Sequence, residues 1–129
     1  MNQSQVNFQS HQIVCLEYEN TYLYSEVIQI IEQRRMCWVR PWVLAIFPAE
    51  TSSYSWNTQE KTLYNLRSTA DLVWPLSLFR PALDTEVIPL LENLDVPAKN
   101  HEDEQQLRQQ LNSFVNQLWQ VHKAKFQGF

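Results

Sequence analysis

The sequence predicts an α+β domain: a small, strongly bent antiparallel sheet or partly open barrel, closed on one side by a C-terminal amphipathic helix. Three observations carry that expectation. Runs dense in Val, Ile, Tyr and Trp recur through residues 13–74 and are separated by short polar breaks. Prolines at 75, 81, 89 and 97 rule out a long helix in the segment that follows. Beyond residue 100, Leu107, Leu111, Phe114, Leu118 and Val121 repeat at steps of four, three, four and three, which is one face of a helix.

Residues 1–10 are rich in Gln, Asn and Ser and are expected to form a mobile arm, with 11–129 as a single domain. Ile13–Tyr18 reads as the first strand, ended by a turn at Glu19-Asn20. Thr21–Glu32 is ambiguous, since Leu23, Val27, Ile30 and Ile31 also fit a helical stripe. Its β-branched and aromatic density, and the hairpin partner that follows, favour a strand. That partner spans about Met36–Phe47, reached through the charged tip Glu32–Arg35. Pro41 lies in its middle and has no N–H to donate, so the strand is bulged or lies at a sheet edge there. A polar excursion over 48–61 precedes short strands at Leu63–Leu66 and Leu72–Trp74. The proline-rich segment 75–98 is expected to make short helical turns, one with Pro89 at its first position. The last helix, about 101–126, has Asn100 as a cap, acids Glu102, Asp103 and Glu104 at its start, Lys123 and Lys125 at its end, and Gly128 to stop it.

Composition narrows the function. A chain of 129 residues supports one core. Ten basic against 14 acidic side chains, net −4, offer no global attraction to nucleic acid or anionic lipid. No apolar run approaches the roughly 18 to 20 residues of a membrane span, and the polar start lacks a signal peptide's pattern, so a soluble cytoplasmic protein is expected. The single glycine, Gly128, excludes glycine-rich phosphate loops, and no cofactor is expected. His11, His101 and His122 share no motif with Cys or a carboxylate, so no metal site or Cys-His dyad is expected. Cys15 and Cys37 read as reduced core thiols, although spacing alone leaves a bridge open.

What remains is contact chemistry. Two blocks, Cys37-Trp38-Val39-Arg40-Pro41-Trp42 and Trp74-Pro75-Leu76-Ser77-Leu78-Phe79-Arg80-Pro81, set rings and arginines beside prolines. Trp and Arg are enriched at interface hot spots, and proline leaves backbone edges unpaired. The expected partner-binding residues are Trp38, Arg40, Trp42, Trp74, Phe79 and Arg80. Two structural alternatives stand beside that reading: the rings fill the core, and Arg40, Arg67 and Arg80 pair internally with Asp71, Asp84 or Glu86. The sequence therefore points to a non-enzymatic protein-binding module that recognises a short peptide. A second reading is an accessory subunit docked on a photosynthetic or respiratory membrane complex. A third is a small enzyme using carboxylates around Glu17 and Glu26, which alternation along a hairpin could place on one face.

Three segments carry a resemblance: Leu23–Ile30, Cys37–Pro41 and Leu76–Leu91. Through them the chain, over about residues 13–94, resembles the cyanobacterial carboxysome shell-assembly factor family CcmS. The resemblance implies a chaperone-like protein that binds the flexible C-terminal extension of a hexameric shell protein and helps the β-carboxysome shell assemble. It transfers no site residues.

Overall fold

The computed structural model describes residues 8–47, 62–67, 69–92 and 101–126. It shows a six-stranded open antiparallel sheet with two helices, not a closed barrel. The strands are β1 (Ile13–Tyr18), β2 (Thr21–Ile31), β3 (Met36–Ile46), β4 (Thr62–Asn65), β5 (Leu72–Pro75) and β6 (Arg80–Pro81); the helices are α1 (Asp84–Glu92) and α2 (His101–Phe126). The main sheet order is β4-β3-β2-β1-β6, and β5 pairs with β3 on the side it shares with β4.

Segment 21–31 is a strand, paired with β1 from Thr21 to Glu26 and with β3 from Thr21 to Ile31 apart from Ile28. In place of glycine, Glu19 and Arg35 take the left-handed backbone conformation at the two hairpin tips, with φ of 54° at each. Pro41 sits at a bulge. Ser25 opposes Pro41 and Tyr24 opposes Val43, so Trp42 is an extra residue on β3; a second irregularity leaves Ile28 extra on β2. These insertions switch the inward-facing set. Cys37 and Val39 face one side of the sheet, and past Trp42 it is Leu44 that does so, while Val43 and Ala45 face the other.

The sheet therefore packs a core against part of each face. On the first, Val14, Leu16, Leu23, Val27, Val39 and Leu44 pack with Leu111, Phe114 and Leu118 of α2, and Phe8, Trp74, Leu76 and Phe79 join them. On the second, Cys15, Tyr24, Val43, Ala45 and Phe47 pack with Val87 and Leu90 of α1. Phe8 is already buried, so the arm expected over 1–10 is anchored at its end, and His11 N–H donates to the Val27 carbonyl at 2.7 Å. Residues 1–7, the excursion 48–61, Asn100 and Gly128 lie outside the described residues.

One expectation needs correction. Pro89 does not open a helix; it lies inside α1, which starts at Asp84. The start is set by Glu86, the third helical residue, whose Oε1 accepts the Leu83 N–H at 2.9 Å in the manner of a capping box. Both cysteines are free and buried, one in each core. Burial pushes the Cys15 thiol up to about 12 and Cys37 up to about 11.

Candidate functional site

Helix α1 covers only part of the second sheet face. Its nine residues reach roughly 13 Å at about 1.5 Å each, whereas the 11-residue strands β2 and β3 run roughly 36 Å. Among the described residues, the end of the face furthest from α1 carries half-buried Ile31, Met36 and Trp38 and the exposed Val73, 46 % accessible, while half-buried Trp42 lies between this end and the core under α1, against which it packs. Register brings them together: Ile31 opposes Met36, and Trp38 opposes Val73 on the next strand.

The strip borders a break in the sheet. Pairing of β4 with β3 stops at Asn65↔Val43, and that of β5 begins at Leu72↔Val39, so Arg40, Pro41 and Trp42 meet neither. The connection between β4 and β5 fills the gap. Leu66 N–H donates to the Trp42 carbonyl at 2.8 Å, and the Leu66 carbonyl accepts the Thr69 hydroxyl at 2.7 Å. This turn delivers Asp71 and Arg67 to the strip.

Each polar edge is then satisfied by a named partner. Asp71 accepts the Trp38 indole N–H at 3.0 Å and the Arg40 guanidinium at 3.2 and 3.4 Å. Arg40 holds the Asp71 carboxyl below its usual range, and the Trp38 N–H assists, against the opposing effect of burial. Glu26 accepts the Trp42 N–H at 3.3 Å and lies 2.6 Å from His11 Nδ1. The Arg67 guanidinium stacks over the Trp42 ring, 5.0 Å from its centroid.

The other arginine is engaged elsewhere. Arg80 forks onto Glu86 at 2.9 and 3.1 Å and reaches Glu17 at 2.7 Å. Glu86, only 5 % exposed, also accepts the Tyr24 hydroxyl at 2.6 Å. Burial pushes Glu86 upward, but Arg80, the Leu83 N–H and Tyr24 outweigh it and hold the carboxyl below its ordinary range. This cluster ties α1 and β6 to β1 and β2.

The six residues expected to bind a partner thus divide. Trp38 and Arg40 lie on the strip, and Trp42 lies at its border, packed against the core under α1. Trp74 and Phe79 are 5 % exposed each and belong to the core under α2, and Arg80 belongs to the α1 anchor. The internal pairing weighed for the arginines is what Arg40 and Arg80 make, with Asp71 and Glu86. The sequence had no signal for Val73, whose side is set by strand pairing; Glu86 stood there only as one of three carboxylates able to pair with an arginine, and nothing in the sequence marks its contact with Tyr24. Glu17 and Glu26 do not converge: the first faces Arg80 and the second His11 and Trp42. Among the described residues, no group of three or more His, Cys, Asp or Glu is placed to hold a metal ion, and no helix is long and apolar enough to cross a membrane.

Compared with known proteins, the chain matches no family model, no curated protein and no solved structure.

Proposed function

We propose that the chain is a non-enzymatic, chaperone-like assembly factor that receives a segment of another protein on the end of its second sheet face that no described element covers. The observation that supports this is the strip Val73-Trp38-Met36-Ile31 with Trp42 at its border. Sheet faces of this composition are ordinarily covered by another layer, and among the described elements α1, on this face, is too short to supply it. The ring edges are already bonded to Asp71 and Glu26, so a partner meets preorganised aromatic surfaces instead of having to order them. The resemblance to shell-assembly factors falls on β2, on β3 up to the bulge, and on the run through β6 into α1. It makes the tail of a carboxysome shell protein the partner of first choice, in the cytoplasm of a cyanobacterium.

The test is titration of the domain with a hexameric carboxysome shell protein, with and without its C-terminal extension. Binding to the intact hexamer is expected, with loss on truncation. Loss is also expected with the double substitution Trp38→Ala/Trp42→Ala and with Val73→Lys, an exposed position where folding is unaffected. Absence of binding to the intact hexamer, or binding indifferent to Val73→Lys, would refute the reading. Recovery with thylakoid membranes in place of the shell protein would select an accessory subunit of a membrane complex.

A further inference from the structure

The strip carries a charge that no described carboxylate balances. Of the three arginines set among apolar residues, Arg40 and Arg80 are spent on Asp71 and Glu86. Arg67 meets no carboxylate among the described residues and is exposed. Its position is nevertheless fixed. The Asn65 side-chain oxygen accepts the Arg67 backbone N–H at 3.1 Å, the Leu66–Thr69 turn holds the backbone, and the Trp42 ring lies under the guanidinium. Trp42 is itself pinned by its N–H to Glu26. A stacked guanidinium keeps its in-plane N–H groups pointing outward, so it presents a planar fork with little rotamer freedom left to lose.

We infer that Arg67, stacked on Trp42, is the residue that selects the docked segment, by forking onto an acidic side chain set beside that segment's apolar anchors. The inference rests on the strip being the docking surface and adds the chemistry of what it accepts. An Asp or Glu side chain fits better than a chain terminus. Terminal carboxylates are captured where several backbone N–H groups converge, and here the Arg67 N–H is committed to Asn65 and the Leu66 N–H to Trp42. A net charge of −4 disfavours an acidic segment elsewhere on the molecule, so a local cation beside an apolar strip also sets orientation.

A library of random dodecapeptides tests this, displayed with the C-terminus joined to the carrier so that only side-chain carboxylates are available. It is selected in parallel on the wild-type domain, Arg67→Gln and Arg67→Lys. Wild type is expected to enrich peptides with Asp or Glu next to large apolar residues. That preference should vanish on Arg67→Gln and weaken on Arg67→Lys, which keeps the charge but not the fork. Individual selected peptides should lose about tenfold to a hundredfold in affinity on Arg67→Gln, as for a charge-assisted hydrogen bond. Apolar peptides recovered without acidic preference, or acidic preference surviving Arg67→Gln, would overturn the role of Arg67 and leave the docking strip standing. No peptide recovered at all would overturn both.

Discussion

Glu86 shows how much one side chain can hold. It is a nearly sealed carboxylate with donors from Tyr24, Arg80 and the Leu83 backbone, and it joins the start of α1 to β6 and β2. Removing it by Glu86→Ala leaves Arg80 without its closest buried partner and should cost about 3 to 5 kcal/mol, towards the low end because Arg80 is partly exposed and keeps Glu17. Tyr24→Phe removes a single donor and should cost about 1 to 2 kcal/mol; urea denaturation measures both. The sign of the pH dependence follows from the same contacts. The folded carboxyl titrates below its unfolded value, so its contribution is complete above the ordinary glutamate pKa of about 4.3 and is lost as acid brings the pH through the lowered folded value. Glu86→Gln should therefore flatten the fall in stability on acidification; an unchanged acid limb would show that other carboxylates govern it. The sequence offered Glu86 as one of three possible partners for an arginine, but not its burial, its cap at Leu83 or its bond to Tyr24. Tyr24 stands 62 positions away, and only the folded sheet brings the two together. For the same reason Arg40, Arg67 and Arg80 looked alike: each has apolar neighbours in sequence, and what separates them is which carboxylate the turn or α1 delivers.

At the scale of elements, local chemistry was informative wherever it was repeated or forbidden. Density of β-branched and aromatic residues between polar breaks placed β1 to β5, and of the two readings open for Pro41, bulge or sheet edge, the bulge is what forms. The four-three repeat placed α2, and among its described side chains Leu111, Phe114 and Leu118 are buried, whereas Val121, the last of the repeat, is exposed. Beside Leu118, Gln117 is exposed. Leu118→Ala should therefore destabilise by about 2 to 5 kcal/mol, whereas Gln117→Ala should change stability by less than about 0.5 kcal/mol. Comparable losses from both would mean that α2 is not held by this stripe. Less legible were β6 and the entry to α1. A two-residue strand has no periodicity to read, and Pro89 was misplaced because an internal proline is tolerated in a helix whose remaining contacts, Val87 and Leu90, are buried.

The whole molecule is a sheet with a different layer on each side: α2 with the β5–β6 connection on one, and the shorter α1 on the other, with the strip beyond it. Cys37 belongs to the first interior and Cys15 to the second. Both thiols are held far from ionisation at neutral pH, so neither should react with a disulfide reagent until the structure around it opens. In the wild type, equal labelling rates at the two positions, resolved by mass spectrometry, are expected if both interiors unfold together. Glu86→Ala should let Cys15 react ahead of Cys37, because it frees α1 and leaves α2 in place. Nature has thus fitted each compartment with its own tell-tale, and a protein whose binding partner is under test can be asked, without any added dye, which side tightens when the partner arrives.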